Sequence, residues 1–175
     1  WYPMSTVPLF IFMGVVLFNS GVGANLYDTA YKWVGQFRGG LAMSTVLACA
    51  LFAAITGVSA PAVVTMGKVA VPEMRKRHYD DKLATGSIVC AGTLAFLIPP
   101  SMAFIIYGIL TEQSIGLLFI AGMLPGLLLV CLLMGTILII TTVDKQAGPA
   151  GPKTSFKEKI LSLKGTWHTL LLFLI

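Results

Sequence analysis

The charged residues of this chain are gathered into short segments, and long apolar tracts separate them. Asp, Glu, Lys and Arg are absent from residues 1–27, 39–67, 83–111 and 113–143. A helix needs about 20 predominantly apolar residues to cross a bilayer, and each of the four tracts is longer than that. The pattern therefore predicts four membrane-embedded tracts with charged segments between them.

Composition agrees with this pattern. The chain is 57% hydrophobic and 11% charged, with a mean hydropathy of +0.88, which is typical of proteins that fold in membranes. We predict an all-α polytopic protein of the lipid bilayer. The net charge of +5 does not indicate a nucleic-acid partner, because the basic residues lie in short loops where they set membrane orientation.

Residues 1–38 predict a transmembrane helix followed by an interfacial helix. The first runs over residues 4–24, where small residues allow close packing against neighbours, and it ends near Gly23. In residues 25–34 the apolar positions follow helical spacing, and the aromatic residues expected at headgroup level are Tyr27, Tyr31 and Trp33. A solvated loop is the weaker alternative for this stretch.

The tract 39–72 predicts a re-entrant hairpin, because the segments before and after it are both net basic. A single crossing would place one of these segments on the wrong side by the positive-inside rule. A turn at residues 56–61 resolves the conflict, since a glycine there permits a tight bend and a proline suits the first turn of the returning helix. The two arms, residues 41–55 and 61–72, would be about 22 and 18 Å long at about 1.5 Å per residue, too short to cross alone.

Residues 73–111 predict a cytoplasmic loop followed by a transmembrane helix that is broken near its centre. Pro99 and Pro100 remove two backbone donors and bias the residues before them away from the helical conformation. Unpaired backbone groups at that depth survive only when packed in protein or beside a polar cavity, so residues 92–101 form a candidate site. The alternative is an ordinary proline kink filled by neighbouring side chains, and the stretch alone does not decide between the two.

The rest of the chain predicts a return crossing and a cytoplasmic segment. Residues 112–143 form the transmembrane helix. Residues 144–164 form a linker, flexible at 146–152, and then a surface helix with a hydroxyl residue as its cap; a disordered linker is the alternative. The apolar run 165–175 is too short to cross a bilayer, and we expect it to begin another span, which would make the chain a fragment.

Two interruptions are thus expected at similar depth, the hairpin turn and the helix break. Both bring hydroxyl groups and freed carbonyl oxygens to the middle of the membrane, and short helix ends direct their dipoles there. Oxygen donors without a carboxylate suit a monovalent hard cation such as Na⁺. The predicted Na⁺ ligands are Thr56, Gly57, Ser59, Gly92, Thr93 and Ile98.

An enzyme is not indicated, because catalysis at depth would need ionisable groups there. His78 and His168 fall in a loop and near an interface, and Glu112 lies at the far-side turn. A channel would need a recognisable selectivity filter, and none is evident. A non-transporting structural subunit or channel-like scaffold is the alternative, in which substitutions at 56–61 and 92–101 change stability but not ion dependence.

Several motifs of the chain resemble a known family. They include Ala53-Ala54-Ile55-Thr56-Gly57-Val58-Ser59-Ala60, Gly92-Thr93-Leu94, Leu97-Ile98-Pro99-Pro100-Ser101, Ile106-Tyr107-Gly108 and Ala121-Gly122-Met123-Leu124-Pro125-Gly126. Together they resemble the large membrane subunit of tripartite ATP-independent periplasmic (TRAP) transporters, over nearly the whole chain. The sequence departs from the family pattern at Val58, Pro61 and Ala95, where the family usually has serine, alanine and glycine; Val58 weakens the case for a side-chain ligand at that position.

The resemblance implies one repeat of an elevator-type, Na⁺-coupled importer in the bacterial inner membrane. Members of this family import small carboxylates, and we expect a C4-dicarboxylate or a sugar acid such as sialic acid. They work with a small membrane subunit and a periplasmic substrate-binding protein, and their chains are much longer than this one. The substrate contacts expected here are Ser59, Pro99, Pro100 and Ser101.

Overall fold

The computed structural model describes residues 6–152 together with Lys159 and Ser162. This part of the chain is helical and contains no strand, which confirms the predicted all-α class. The helices are α1 (Thr6–Asn19), α2 (Val22–Val34), α3 (Gly40–Thr56), α4 (Ser59–Lys76), α5 (Asp81–Gly92), a 3₁₀-helix (Thr93–Phe96), α6 (Met102–Leu110) and α7 (Ile115–Val143).

Helix α7 is the element best suited to a membrane. Its 29 residues reach about 43 Å, and among the described residues it is the one helix long and apolar enough to cross a bilayer. Most of its large apolar side chains are exposed, with Leu124 at 78% and Val143 at 83%. A core helix of a water-soluble protein would bury such side chains, so α7 requires apolar surroundings.

The boundary between α1 and α2 lies earlier than the sequence predicts. Helix α1 ends at Asn19 rather than near Gly23, because Gly21 adopts a positive φ of 77° and reverses the chain there. Helix α2 then packs into the bundle along one face, and Tyr27, which we expected at headgroup level, is only 5% exposed. Trp33 remains on the surface at 42% exposure.

Helices α3 and α4 form a tight helical hairpin, and the bend between them lies within the predicted turn 56–61. Gly57 has a φ of 63° and donates its N–H to the Ala53 carbonyl at 2.7 Å, which closes α3. The predicted second arm, 61–72, is too short: α4 continues through Pro72 to Lys76. A proline inside a helix costs about 3 kcal/mol, and here the fully buried side chains on either side of it, Ala70 and Met74, offset that cost by packing. Both arms are therefore about 26 Å long.

The helix predicted over residues 83–111 is broken, as expected. Helix α5 ends at Gly92, one 3₁₀ turn follows, and α6 begins at Met102. Helix α6 packs beside the first part of α7, where the rings of Phe104 and Phe119 lie 6.4 Å apart. Helix α5, the break and α6 follow one another along the chain. The hairpin instead reverses direction at its turn, next to the break.

The charged segments meet at one end of the bundle. Backbone hydrogen bonds join residues 144–151 both to the turn before α3 and to the loop after α4. The stretch 146–152, predicted as a flexible linker, is thus docked against the base of the hairpin by these bonds. Of the predicted surface helix at 154–164, only Lys159 and Ser162 are described, and both are helical; the predicted start of a further span at 165–175 lies outside the described residues.

Candidate ion site at the hairpin turn and the helix break

The hairpin turn and the helix break lie in direct contact. The N–H of Met102, the first residue of α6, donates to the carbonyl of Gly57 at 3.2 Å. The first amides of a helix have no partner within it, and the left-handed Gly57 presents its carbonyl to one of them. The two interruptions, which the sequence predicts at similar depth, contact each other at this bond.

Ser101 spans the break from within. It is fully buried, its hydroxyl donates to the Phe96 carbonyl at 2.9 Å, and its own carbonyl accepts from the Ile105 N–H at 3.2 Å. The side chain therefore satisfies an oxygen at the end of the 3₁₀ turn while its backbone starts α6. Ser101 thereby fixes the shape of the break, and its hydroxyl proton is already used in the hydrogen bond to Phe96.

The hydroxyl groups of the turn differ in availability. Thr56 is fully buried, and its hydroxyl lies 3.0 Å from the Phe52 carbonyl and 3.3 Å from the Val58 carbonyl. Ser59 is half-buried at the start of α4, and within the described residues its hydroxyl makes no hydrogen bond. Ser59 is thus the side chain of the turn that is free to bind a ligand.

The structure does not bring all the predicted ligands to the turn. Gly92 is buried, and a Cβ there would collide with the Val63 side chain of α4, so the end of α5 packs against the hairpin. Thr93, the next residue, is exposed, and its hydroxyl donates to the Cys90 carbonyl in the last turn of α5 at 2.7 Å. Thr93 therefore faces away from the contact between turn and break.

The residues before the two prolines lie against α7. The Ile98 N–H donates to the Leu94 carbonyl at 2.8 Å, which leaves the Ile98 oxygen as the predicted ligand. A Cβ on Gly126 would lie 3.2 Å from Ile98 Cγ1, and one on Gly122 would lie 2.7 Å from the Leu97 oxygen. Because α7 is centred on residue 129, these contacts place the break about 5 to 10 Å from the middle of the longest helix.

Pro99 and Pro100 are half-buried and are joined by a cis peptide bond. Pro99 and Ile98 reach one wall of a cleft of about 600 Å³ that lies between α2, α3 and α7. Within the part of the chain that the structure describes, its lining is almost entirely apolar and includes no Lys or Arg. Pro100 does not belong to this lining, and the substrate contacts predicted at Pro99 and Pro100 stay predictions.

Three ion pairs lie in the charged segments of the chain rather than at this site. The described ion pairs are Asp28 with Lys32 at 2.7 Å, Glu73 with Lys76 at 2.9 Å and Arg75 with Asp81 at 2.9 Å. The bidentate Arg75 guanidinium holds the pKa of the Asp81 carboxyl below its usual range, and burial raises the pKa of the Tyr79 hydroxyl. All these groups belong to the charged segments at the base of the hairpin.

The donors of the site are therefore neutral oxygens. Carbonyl oxygens carry two lone pairs, so the Gly57 oxygen can accept from Met102 and still bind a cation. No cluster of three or more His, Cys, Asp or Glu side chains occurs within the residues the structure describes, which leaves no typical site for zinc or iron there. The sequence did not identify Met102; its position directly after the helix cap Ser101 was the available signal.

An all-helical bundle with a long, exposed apolar helix, in which a hairpin turn contacts a broken helix, is the architecture of a helical membrane protein. Comparison with known proteins gives the family. Residues 2–175 match the family model described as "Tripartite ATP-independent periplasmic transporter, DctM component", and the chain belongs to this family.

The names of similar proteins agree with this family assignment. The chain is 42% identical to the C4-dicarboxylate TRAP transporter large permease protein DctM of Pseudomonas aeruginosa, over 99% of this chain and 40% of the relative. It is 36% identical to the Vibrio cholerae protein of the same name, over 99% of this chain and 38% of the relative. It is 37% identical to the ectoine/5-hydroxyectoine TRAP transporter large permease protein UehC of Ruegeria pomeroyi, over 90% of this chain and 36% of the relative. The chain spans about two fifths of the length of these curated relatives.

Proposed function

We propose that this chain is part of a Na⁺-coupled secondary transporter of the bacterial inner membrane that imports small carboxylates. It would act with a small membrane subunit and a periplasmic substrate-binding protein. The observation that carries the proposal is the bond between the Gly57 carbonyl and the Met102 N–H, in a chain of the tripartite family. Secondary transporters build their ion sites where interrupted helices meet.

The hairpin is proposed to be re-entrant, entering and leaving the membrane on the cytoplasmic side. Two observations support this topology. The segments before α3 and after α4 bind the same stretch, residues 144–151, so both ends of the hairpin lie at one end of the bundle. The turn at Gly57 contacts the start of α6 near the level of the middle of α7, far from that end.

The hairpin and the broken helix are proposed to form one repeat of an elevator-type transporter. Repeat-built transporters bind their substrate between two related halves, each with its own interrupted element. The chain contains one hairpin and one broken helix within its described residues and spans about two fifths of its relatives. A second, related half in the full-length protein would complete the site.

Na⁺ is proposed to bind at the turn and the break, held by oxygens of the predicted ligands. Ser59 offers a free hydroxyl, and the Gly57 and Ile98 carbonyls lie on the two sides of the contact. Neutral oxygens at the ends of short helices suit a monovalent cation that must also be released, because they bind it without a permanent counter-charge. Thr56, Gly92 and Thr93 remain proposed ligands that depend on rearrangement or on the rest of the chain.

The substrate is proposed to be a small carboxylate, with a C4-dicarboxylate before a sugar acid such as sialic acid. The names of the relatives give C4-dicarboxylates for two of them and ectoines for the third, so the family accepts more than one kind of solute. The direct test is uptake by the full-length chain with its partner proteins in vesicles, across a panel of these solutes with and without a Na⁺ gradient. If each solute were taken up at the same rate with and without the Na⁺ gradient, and all solutes at equal rates, the proposal would be contradicted.

Replacing Ser59 by alanine in the full-length chain should raise the Na⁺ concentration needed for half-maximal uptake. Losing one neutral ligand is expected to cost about 1 to 3 kcal/mol, a factor of about 5 to 150 in apparent affinity. Thr93→Ala tests whether the site extends to the end of α5. Thr142→Ala is the control, because this exposed hydroxyl donates to the Ile139 carbonyl of its own helix at 2.8 Å.

The uptake titration separates the possible roles of these residues. A shift for Ser59→Ala alone would confine the ion to the turn, and a shift for both variants would extend the site across the break. If both variants transport with an unchanged Na⁺ dependence, the ion does not bind at this contact. Variants that still transport with an unchanged Na⁺ dependence, but unfold at a lower temperature than the unmodified chain, would favour the structural-subunit alternative.

A further inference from the structure

The segment directly after α7 closes over the base of the hairpin. Residues 144–151, which we name the clasp, make backbone hydrogen bonds to the turn before α3 and to the loop after α4. The three bonds run from Gly39 N to the Gly148 oxygen (3.1 Å), from Asp80 N to the Ala147 oxygen (3.2 Å) and from Gly151 N to the Gly35 oxygen (3.0 Å). The clasp therefore holds both ends of the hairpin at once.

Tyr79 lies at the centre of these contacts. Its side chain is only 6% exposed, and its hydroxyl donates to the Pro149 carbonyl of the clasp at 2.7 Å. The same oxygen accepts from the N–H of Leu41 in the first turn of α3 at 3.4 Å. One side chain from the loop after α4 thus connects the loop, the first arm of the hairpin and the clasp.

The clasp is packed more closely than a loose linker could be. A Cβ on Gly148 would lie 3.0 Å from Tyr79 Cε1 and 3.1 Å from Gly39 Cα. A Cβ on Gly151 would lie 2.6 Å from the Gly35 oxygen. At Gly151 a Cβ would meet the backbone, and at Gly148 it would crowd side chains and backbone, so glycine suits both positions. Opening the clasp would break its three backbone hydrogen bonds and uncover Ala147 and Gly148, the two buried residues of the segment.

We propose that the clasp stays closed throughout the working cycle, so that the hairpin and α7 move as one body. The hairpin then does not open at its base. Any rearrangement that admits or releases an ion takes place at the other end, where the turn meets the break. The proposal rests on the proposed transport function in the cross-linking experiment, where uptake is measured. The hydrogen-exchange experiment does not depend on that function.

A reversible cross-link tests the clasp during transport. Asp80→Cys and Ala147→Cys are combined in a cysteine-free version of the full-length chain, because the backbone bond between these residues brings them within reach of a disulfide. We expect the disulfide to form on oxidation and uptake to stay within about twofold of the reduced form. Either single variant, oxidised in the same way, is the control. Failure of the disulfide to form, or uptake that is lost on oxidation and restored by reduction, would overturn the proposal.

Hydrogen exchange tests the clasp without transport. Tyr79→Phe removes the hydroxyl that binds Pro149, and we expect the amides of the clasp and of its partners to exchange about tenfold faster. Tyr107→Phe is the control, because Tyr107 is 55% exposed on α6 and lies outside the clasp. In the unmodified chain, exchange in the clasp should not change between Na⁺-containing and Na⁺-free buffer. Exchange that depends on Na⁺ would refute a permanent clasp, whereas absent uptake with unchanged protection would refute only the proposed function.

Discussion

Replacing Gly122 by leucine in the full-length chain should lower the free energy of unfolding by about 3 kcal/mol, and alanine should lower it by about 1 kcal/mol. A Cβ at this position would meet the Phe104 ring and would lie 2.7 Å from the Leu97 carbonyl oxygen. The Phe104 ring can rotate away from the added side chain, but the Leu97 backbone carbonyl in the break cannot. The substitution would therefore push α7 away from the break that it supports.

Gly135 is the matched control for this prediction. It lies in the same helix, and a Cβ there would have nothing within 4 Å. Thermal unfolding in detergent of the two leucine variants checks the difference directly, and Na⁺-driven uptake shows whether the loss of packing reaches the site. Equal unfolding temperatures for Gly122→Leu and Gly135→Leu would show that α7 and the break do not pack as described.

Replacing Gly92 by leucine should have a comparable effect on the other side of the break. The glycine is buried where α5 ends, and a Cβ there would collide with a methyl group of Val63 in α4. A branched side chain within a packed helix has little room to move, so the end of α5 would separate from the hairpin. We expect a loss of about 3 kcal/mol in the free energy of unfolding and a strong loss of uptake.

Gly86 provides the control in α5, since a Cβ there would have open space around it. Gly86→Leu should unfold close to the unmodified chain. Both leucine variants are compared by the same unfolding measurement and by uptake at saturating Na⁺. If Gly92→Leu were no less stable than Gly86→Leu, the contact between α5 and the hairpin would not hold the site together.

The main interruptions of the chain could be predicted from the sequence because strong local signals mark them. Gly57 sits between two apolar stretches whose outer ends are both basic, and the pair Pro99-Pro100 cannot continue a helix. These signals act within a few residues, so they do not depend on how the helices pack. The helical hairpin and the break followed directly from them.

Other features depend on contacts that are distant in sequence. Pro72 normally indicates the end of a helix, but buried neighbours carry α4 past it. The Gly and Pro residues of 146–152 suggest flexibility, whereas here the glycines allow the backbone to dock on the hairpin base. Thr93 was assigned to the site because of its hydroxyl, and its direction depends on the 3₁₀ turn that begins there. Packing and backbone direction at such positions are not encoded in any local pattern.

The re-entrant hairpin is tested most directly by the sidedness of its two ends. Arg38→Cys and Arg75→Cys are made singly in a cysteine-free version of the full-length chain, with Gln113→Cys as the marker for the opposite side; all three positions are exposed. A membrane-impermeant thiol reagent is then added from one side of the membrane at a time. We expect positions 38 and 75 to react from the cytoplasmic side and position 113 from the periplasmic side. Reaction of positions 38 and 75 from opposite sides would show that the hairpin crosses the membrane, and would contradict the re-entrant topology.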